Sequence, residues 1–398
     1  MQVYRNNTLS PDIVDWPVYM RRALELARKV IAAAPNPRVG CVIVRDGKIA
    51  GEGWHAAAGQ AHAEVCALQA AGNQARGATA FVTLEPCAHV GQTGPCAEAL
   101  VVAGVARVVI AGIDPNPAVA GKGVAKLEAA GIEVVHMADF ELEAVALNRG
   151  YFRRRQQALP WVTCKLAMSL DGRTALANGD SKWITGPAAR ADVQLLRARS
   201  GAIITGIGTV LADDPALTVR APQLPLSSAE LQANSLTLAK QPLRVILDSS
   251  LRTPPTARIL HQEGQVAIYT RSIPEARAAV NPSYSRNVTV KPLAGGDSKV
   301  PLRSVLESLA TEFECNEVLV EAGTIVSTAF IQAGLVNELV VYIAPKLLGK
   351  DGHALVEFSG LQSLSAVIEF EIVDVAMIGS SGQSDIRIVL QPRTNTGT

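Results

Sequence analysis

The sequence predicts an α/β protein of two domains, and three observations lead to that class. The chain has 398 residues, more than one core commonly holds, since domains contain roughly 100 to 200 residues each. Strand-like runs alternate with helix-like patterns, which is typical of largely parallel sheets covered on both faces. The alternation restarts after the basic segment 153–155, so we place the boundary near residue 158 and expect domains 1–158 and 159–398.

The first domain begins with a predicted amphipathic helix. Its apolar residues recur at helical spacing from Met20 to Ile31, between a cap at Asp15 and a stop at Pro35. The pair Asp46-Gly47 then predicts a β-hairpin, because it supplies the positive φ angles of a tight turn. The remaining elements are a helix after His62, a strand at 78–84, a helix after Cys96, a strand at 105–111, a helix at 122–130, a strand at 132–135 and a helix at 140–155.

The second domain shows the same alternation. Its predicted strands are 161–167, 202–206, 243–248, 265–269, 317–321 and 338–343. A polar segment rich in Pro, Ser and Gln lies at 221–241. We expect a surface excursion there, because strands continue on both sides.

Composition and charge exclude several classes of function. Thirty-seven Lys and Arg against 36 Asp and Glu give a net charge of +1, and 4% of the residues are aromatic, which argues against nucleic acid as a partner. The longest apolar stretch, 99–113, contains Arg107 and is shorter than the roughly 20 residues of a membrane helix. The N-terminus shows no secretory signal. We therefore expect a cytoplasmic protein that acts on small molecules, with no membrane partner.

Four residues form a pattern that predicts a catalytic zinc site. His62 and Glu64 lie at the start of a predicted helix, Cys87 follows Pro86 at the end of a strand, and Cys96 begins the next helix. Zinc accepts imidazole and thiolate ligands, and a catalytic site keeps its fourth position for water. We therefore expect His62, Cys87 and Cys96 to bind zinc and Glu64 to act as the base for that water.

This pattern has two unusual features. Residues two apart on a helix face different ways, so His62 and Glu64 converge only if they lie in an irregular first turn. Eight residues separate Cys87 from Cys96, whereas the zinc deaminase signature has two. The remaining cysteines have no such neighbours in the sequence, and we assign them to packing: Cys41, Cys66, Cys164 and Cys315.

Several longer segments carry a resemblance to a known family. They are 35–40, 53–55, 62–64, 83–96 (TLEPCAHVGQTGPC) and 114–117 in the first domain, and 165–173, 183–185, 209–220, 321–324 and 344–349 in the second. Over nearly the whole chain they resemble the bifunctional deaminase/reductase family of riboflavin biosynthesis. The long spacer between the two cysteines is characteristic of that family.

For the first domain the resemblance implies a cytidine deaminase-like three-layer α/β/α fold. The implied reaction is hydrolytic deamination of 2,5-diamino-6-ribosylamino-4(3H)-pyrimidinone 5-phosphate, with Glu64 moving protons to the ring nitrogen and the leaving amine. The implied substrate contacts are Asn36, His55, His89, Asp114 and Asn116. Asp114 and Asn116 also fit turn and capping roles, since both stand beside prolines.

The loop between the cysteines departs from the family in two places. Gln92 stands where relatives usually carry Lys or Arg, and Gly94 replaces a usual Pro. A neutral donor to phosphate is roughly half as strong as a charged one. We expect Gln92→Arg to lower the deaminase Michaelis constant several-fold, unless another basic group already neutralises the substrate phosphate.

The second domain lacks the Gly-x-Gly-x-x-Gly fingerprint of a dinucleotide-binding Rossmann domain. Two other glycine turns follow predicted strands, at Gly206 and at Gly323. Either turn could present backbone amides to a pyrophosphate, or could simply allow close packing.

The resemblance implies a dihydrofolate reductase-like α/β fold for this domain, with NADPH as its cofactor. The implied reaction is hydride transfer to the ribosyl C1 of the deaminated product, which yields a ribityl group. The implied NADPH contacts are Ala167, Trp183, Thr209, Asp213, Ser249, Gly323 and Thr324. The implied substrate contacts are Ser181, Arg197, Leu217, Arg220 and Glu321.

Several basic and acidic residues of this domain have specific candidate roles. Arg197 and Arg220 suit a clamp, since guanidinium binds phosphate in bidentate fashion. Lys165 and Asp171 lie in one strand and its turn, and either could assist proton transfer or ring opening. Arg252 could hold the ribose 2-phosphate of NADPH, and it equally fits a solvated surface position. The resemblance also implies a homo-oligomer, either a dimer or a tetramer.

Two other functions stay open from the sequence. A polynucleotide deaminase is opposed by the near-zero net charge, the few aromatic residues and the reductase-like second half. A degenerate deaminase fold used as a binding module is opposed by the intact zinc pattern. Ammonia release followed by substrate-dependent NADPH oxidation would separate the three possibilities.

Overall fold

The computed structural model describes residues 15–88, 94–271, 284–293, 299–363, 367–380 and 382–393. Contacts among these residues divide the chain into two compact units. The first unit contains the chain up to Gln157 together with Ser228–Thr237, and the second contains Ala158–Ser227 with the chain from Leu238 onward.

The first unit alternates strands and helices as its sequence predicts. Its elements are α1 (Trp16–Arg28), β1 (Gly40–Arg45), β2 (Lys48–Trp54), α2 (Ala63–Ala71), β3 (Thr79–Val82), α3 (Cys96–Ala103), β4 (Arg107–Ile110), α4 (Lys122–Ala129), β5 (Glu133–His136), α5 (Glu141–Leu147) and α6 (Arg149–Gln157). The predicted hairpin is confirmed, and Asp46 and Gly47 adopt φ angles of 49° and 71° at its turn.

The sheet of the first unit is mixed, whereas the sequence predicts a largely parallel one. Its strands follow the order β2-β1-β3-β4-β5. β1 is antiparallel to β2 and β3, while β3, β4 and β5 are parallel neighbours. The tight hairpin turn reverses the chain direction, and only the later strands are joined through helices, which parallel pairing requires.

Helices cover both faces of this sheet, which confirms the expected three-layer arrangement. On one face Ala67 of α2, Leu100 of α3 and Leu127 of α4 pack together. On the other face Leu24 of α1 and Leu147 of α5 pack against the strands. A fully buried Leu stabilises the folded state by about 1.5–3 kcal/mol relative to an exposed one. These helices therefore stabilise the sheet from both faces.

The helix predicted over 140–155 is two helices, because Asn148 interrupts it. The Asn148 side chain accepts a hydrogen bond from the Arg38 N–H (2.7 Å) and donates one to the Arg38 carbonyl (2.9 Å). Its backbone leaves the helical region, at φ −115° and ψ 25°. The interruption therefore fixes the segment that leads into β1.

The second unit contains the longer sheet. Its strands are β6 (Trp161–Ser169), β7 (Arg173–Ala175), β8 (Ala202–Gly206), β9 (Leu243–Leu247), β10 (Val266–Thr270), β11 (Val288–Pro292), β12 (Glu317–Val320), β13 (Glu338–Ala344), β14 (His353–Ala354), β15 (Phe370–Ile378) and β16 (Asp385–Pro392). The helices of the second half of the chain are α7 (Pro187–Arg199), α8 (Ile207–Asp213), α9 (Ser228–Ala233), α10 (Ser235–Leu238), α11 (Leu302–Thr311) and α12 (Thr324–Gln332). All of the predicted strands are present.

The main sheet of the second unit follows the order β11-β10-β9-β8-β12-β6-β13-β16-β15. Its strands are parallel from β11 to β13, and β16 and β15 extend it in antiparallel fashion. Leu306 of α11 and Phe330 of α12 pack on one face, and Val210 of α8 packs on the other. The central strands are buried on both faces, as expected for a parallel sheet.

Segment 221–241 lies largely on the surface between β8 and β9, as the sequence predicts. Its part 228–237 contains α9 and the first three residues of α10, and it belongs to the first unit, which the sequence did not indicate. Asn234 is 1% exposed, accepts a hydrogen bond from the Ile31 N–H (2.7 Å) and donates one to the Lys29 carbonyl (2.9 Å). The Thr237 hydroxyl donates to the Ala32 carbonyl (2.9 Å). These bonds satisfy backbone groups just after α1, so the segment is docked by specific polar contacts.

Within the described ranges, none of the helices combines the length and the apolar character that crossing a membrane requires.

Candidate functional site

His62, Cys87 and Cys96 meet at the carboxyl end of β3. His62 is the N-cap of α2, with extended backbone angles (φ −73°, ψ 161°). Cys87 follows β3, and Cys96 is the first residue of α3. The expected irregular first turn at His62 is therefore present, and each of the three side chains stands at the start of a helix or just after a strand.

The three side chains are close enough to bind one metal ion together. His62 Nδ1 lies 3.1 Å from Cys96 Sγ and 3.6 Å from Cys87 Sγ. Zinc–sulfur and zinc–nitrogen bonds of about 2.3 and 2.0 Å separate tetrahedral ligand atoms by roughly 3.5–3.8 Å, so the distance to Cys87 matches and the distance to Cys96 is shorter. In the described part of the chain, these three residues are the group of His, Cys, Asp and Glu side chains close enough to hold a metal ion together. Two sulfurs and one imidazole are a donor set that zinc prefers.

The contact between the two thiols shifts their pKa values in opposite directions. The hydrogen bond from the Cys96 thiol lowers the pKa of Cys87 to about 4, and the His62 ring acts in the same direction. The same contact, together with burial, raises the pKa of Cys96. The Cys96 N–H also donates to Cys87 Sγ at 3.3 Å. Zinc binding requires both sulfurs as thiolates, so binding of the ion would release protons from the thiols.

Glu64 lies in the first turn of α2, within the same cluster. Its side chain is 3% exposed, and burial raises its pKa to about 7, with a further contribution from the Cys87 charge. A bound cation would act in the opposite direction. Burial and a bound cation thus shift the pKa of Glu64 in opposite directions, and a carboxyl group under both influences can accept and return a proton near neutral pH.

His55 lies beside the cluster, and Asn36 is hydrogen-bonded to His55. The His55 ring stands edge-on to His62, with 5.1 Å between ring centroids. His55 Nδ1 lies 3.1 Å from the Ala61 carbonyl, so it carries the proton, and Nε2 accepts from Asn36 Nδ2 at 3.0 Å. Burial lowers the pKa of His55, which favours the neutral ring.

The sequence allows two roles for Asp114 and Asn116, in a turn or in substrate binding. The structure shows hydrogen bonds of the turn type for both residues. The Asp114 carboxylate accepts from the Asn116 N–H (2.8 Å) and from the Tyr151 hydroxyl (3.0 Å). The Asn116 side chain accepts from the Ala118 N–H (3.2 Å). His89 lies outside the described residues, as does Gln92.

Glu85 organises this edge of the sheet, although the sequence reasoning gave it no role. Its buried carboxylate accepts backbone N–H groups of Asp114 (3.3 Å), Gly121 (3.0 Å), Gly123 (2.9 Å) and Val124 (3.2 Å). It therefore positions the loop after β4 from a point two residues before Cys87. An acidic residue at a strand end, directly before the Pro-Cys pair, was the available signal.

In the second unit the two predicted glycine turns lie side by side. Gly206 precedes α8 after β8, and Gly323 precedes α12 after β12, and β8 and β12 are parallel neighbours. The Gly323 N–H donates to the Thr209 hydroxyl at 3.1 Å, and the Thr324 hydroxyl donates to the Ala354 carbonyl at 3.0 Å. Gly323 is exposed at the start of α12, which lets a pyrophosphate approach its backbone, so this turn fits NADPH. Gly206 is buried, and an added Cβ there would lie 2.7 Å from Val326, so its role is close packing.

The other residues expected at the NADPH site lie on neighbouring elements. Ala167 belongs to β6, Asp213 ends α8 and Ser249 follows β9. Trp183 is 65% exposed, and the Arg190 guanidinium lies over its ring at 4.6 Å from the centroid. β6 and β9 are strands of the main sheet, and α8 follows β8 of the same sheet, whereas Trp183 lies in a loop.

Arg197 and Glu321 form a buried, bidentate ion pair. The two nitrogen–oxygen distances are 2.8 and 2.7 Å, and Arg197 also donates to the Thr218 carbonyl (3.0 Å). Burial works to raise the pKa of Glu321, but Arg197 and Lys165 hold it below its ordinary value. Burial lowers the pKa of Lys165. The sequence placed Arg197 and Glu321 on the substrate side without anticipating that they pair.

The remaining substrate-side residues differ in exposure. Arg220 is exposed and donates to the Gln223 side chain at 3.1 Å, and its charge also lowers the pKa of Glu321. Ser181 is half-buried, and Leu217 is buried in a left-handed conformation (φ 47°). Asp171 accepts from the Ser169 hydroxyl and from the N–H groups of Leu348 and Gly349, which lowers its pKa to about 2. Asp171 therefore anchors a turn.

Comparisons with known proteins agree with both halves of this description. The model of the RibD C-terminal domain matches residues 160–381. The model of the cytidine and deoxycytidylate deaminase zinc-binding region matches residues 16–112.

Whole-chain relatives cover both units together. Riboflavin biosynthesis protein RibD of Escherichia coli is 47% identical over 362 residues, which cover 91% of this chain and 96% of that protein. An Acinetobacter baumannii RibD structure has a TM-score of 0.83 at 46% identity, covering 95% of this chain and 98% of that one. A Thermotoga maritima diaminohydroxyphosphoribosylaminopyrimidine deaminase/5-amino-6-(5-phosphoribosylamino)uracil reductase has a TM-score of 0.77 at 32% identity, covering 94% and 98%.

A deaminase-type zinc centre in one unit and a reductase-type sheet in the other define a bifunctional enzyme with zinc and NADPH as cofactors. The chain belongs to the RibD family and is a deaminase/reductase of riboflavin biosynthesis.

Proposed function

We propose that the domain 1–158 deaminates 2,5-diamino-6-ribosylamino-4(3H)-pyrimidinone 5-phosphate and that the domain 159–398 reduces the ribosyl group of the product with NADPH. The observation that carries the proposal is the cluster of His62, Cys87 and Cys96 around one point, with buried Glu64 beside it. Segment 228–237 is the exception to this division, since it packs in the first unit.

In the first unit His62, Cys87 and Cys96 would hold zinc, which when bound lowers the pKa of its fourth ligand, a water molecule, to about 7. Glu64 takes up the proton that this water releases and passes protons to the ring nitrogen and to the departing amine. The balance is addition of water at the amine-bearing ring carbon and loss of ammonia. Because Glu64 is buried, little bulk water competes for these protons.

Asn36 and His55 orient the substrate ring in this proposal. His55 holds Asn36 through its unprotonated Nε2, while its Nδ1 proton is used by the Ala61 carbonyl. The neutral ring therefore fixes the direction of the Asn36 amide, which can pair with the edge of a pyrimidine. Asp114 and Asn116 contact the same substrate from the loop that Glu85 holds.

In the second unit Ala167, Trp183, Thr209, Asp213, Ser249 and the turn at Gly323 and Thr324 would bind NADPH, which supplies the hydride. Hydride transfer to the ribosyl C1 breaks the bond between C1 and the ring oxygen. Lys165, a desolvated amine beside Glu321, donates the proton that this oxygen takes up. Arg197 keeps Glu321 ionised and oriented. Exposed Arg220 then binds the substrate phosphate, with Ser181 and Leu217 completing the substrate side.

We also propose a cytoplasmic location, which the chemistry of the proposed zinc ligands supports. Thiolate ligands persist where thiols are kept reduced, as in the cytosol. Homo-oligomer formation stays a prediction. The edge strand β15 exposes Ile372, Val373, Val375 and Met377, which supports self-association over a monomer. Light scattering of the purified chain measures the assembled mass.

A two-stage assay tests the proposed function. The purified chain with the diaminopyrimidinone ribosyl phosphate should release ammonia without NADPH, and later addition of NADPH should start its oxidation in proportion to the ammonia released. NADPH oxidation that precedes deamination would reverse the proposed order. Ammonia release from single-stranded DNA or RNA would favour the polynucleotide alternative.

A further inference from the structure

Arg155 is an exposed cation near the end of α6, next to a residue proposed to contact the deaminase substrate. Its guanidinium lies over the Tyr151 ring, 5.4 Å from the centroid. The Tyr151 hydroxyl in turn donates to the Asp114 carboxylate at 3.0 Å. Burial raises the pKa of Asp114 and the Arg155 charge opposes that shift, so the guanidinium and the carboxylate are close.

α6 covers the edge of the sheet that carries the zinc ligands. Tyr151 packs with Leu84, three residues before Cys87. β3 and β4 are parallel neighbours, so Cys87 and Asp114, which follow them, lie at the same edge. Glu85 ties these loops together through the Asp114 N–H. Arg155 is thus anchored at the rim of the deaminase site.

The loop between the zinc cysteines brings no cation of its own. Residues 88–95 contain neither Lys nor Arg. Two described cations near this edge are directed at backbone carbonyls: Arg154 donates to Pro35, and Lys122 donates to Pro117 and Ala118. Arg155 differs, because its exposed guanidinium lies over the Tyr151 ring and hydrogen-bonds the Tyr151 side chain. A guanidinium has five N–H donors, so others remain for an anion.

We propose that Arg155 binds the 5-phosphate of the deaminase substrate. The inference rests on the substrate assigned under the proposed function. Tyr151 is then a positioning residue, since its ring supports the guanidinium and its hydroxyl is fixed by Asp114. The cation that relatives usually carry at position 92 is replaced, in this chain, by one from α6.

The test compares Arg155→Gln with wild type in deaminase kinetics, on the phosphorylated substrate and on its dephosphorylated form. We expect Arg155→Gln to raise the Michaelis constant for the phosphorylated substrate about tenfold, with kcat within about twofold, because a charged donor to phosphate is lost. The constant for the dephosphorylated substrate should not change. Arg155→Lys keeps the charge, so its Michaelis constant for the phosphorylated substrate should lie between those of wild type and Arg155→Gln.

Lys48→Gln is the matched control. It removes the same charge from an exposed position beside the Asp46-Gly47 turn, and the strand register places that turn at the opposite sheet edge from Cys87. Its kinetics should equal those of wild type.

An unchanged Michaelis constant for the phosphorylated substrate in Arg155→Gln overturns the proposal. An equal rise of the Michaelis constant for both substrates also overturns it, because that result would show a structural role. A zinc content below that of wild type in both Arg155 variants overturns it as well. A wild-type chain that deaminates neither substrate would instead refute the proposed function itself.

Discussion

At the scale of single residues, Cys87 and Cys96 differ from the other cysteines by their contact with the His62 imidazole. We expect Cys87→Ala to lose the bound zinc, since two ligands remain where a catalytic site uses three. Elemental analysis of the dialysed protein measures this. Cys66→Ala is the matched control, because Cys66 is a half-buried thiol on α2 outside the cluster. Retention of one zinc per chain in Cys87→Ala would refute the ligand assignment.

Arg252 tests cofactor choice at the same scale. It is exposed in the turn after β9, which two hydrogen bonds from Thr253 to Asp248 close (both 2.7 Å). If Arg252 binds the ribose 2-phosphate, Arg252→Ala should raise the Michaelis constant for NADPH about tenfold and leave that for NADH unchanged, because NADH lacks this phosphate. Arg258→Ala, another exposed Arg, is the control. An equal effect on both cofactors would place Arg252 among solvated surface residues.

At the scale of elements, the interruption between α5 and α6 positions the segment that carries Asn36. Asn148→Ala removes both hydrogen bonds to Arg38 and leaves buried backbone groups without those partners. We expect a loss of about 1–3 kcal/mol in unfolding free energy and a raised deaminase Michaelis constant. Chemical denaturation measures the first quantity. The control is Asn178→Ala, at an exposed turn of the second unit, which should change neither the unfolding free energy nor the Michaelis constant. An Asn148→Ala variant with the unfolding free energy of wild type would contradict this account.

The elements also show what a sequence can and cannot predict. The Asp46-Gly47 hairpin and the buried strands follow from local turn chemistry and apolar runs, and the structure confirms them. The interruption at Asn148 does not, because it depends on a partner 110 residues away. β15 was not predicted, since a register shift between Ile372 and Asp374 breaks the alternation of its apolar residues.

The site divides in the same way. The types and order of His62, Cys87 and Cys96 predict a zinc centre before any coordinates. The hydrogen bonds of the Glu85 carboxylate and the pairing of Arg197 with Glu321 join distant segments. The local sequence marks Glu85 as an acidic residue at a strand end, but it does not indicate the partners of either contact.

At the scale of the whole molecule, segment 228–237 lies in the second half of the sequence but packs within the first unit. Asn234→Ala removes hydrogen bonds to Lys29 and Ile31 at a buried position. We expect a release of the segment that limited proteolysis detects as new cleavage within 221–241, at unchanged zinc content. Ser235→Ala is a neighbouring control. Cleavage at the wild-type rate in Asn234→Ala would mean that these bonds do not hold the segment.

The central claim is that one chain carries two separate active sites, with Glu64 serving the first alone. The most direct measurement is the Glu64→Gln variant, assayed for ammonia release and, with supplied deaminated intermediate, for NADPH oxidation. We expect deamination to fall by about 100- to 10,000-fold while zinc content and reduction stay near wild type, because the proton carrier is lost and the metal ligands are not. Equal loss of both activities, or deamination at the wild-type rate, would contradict the account.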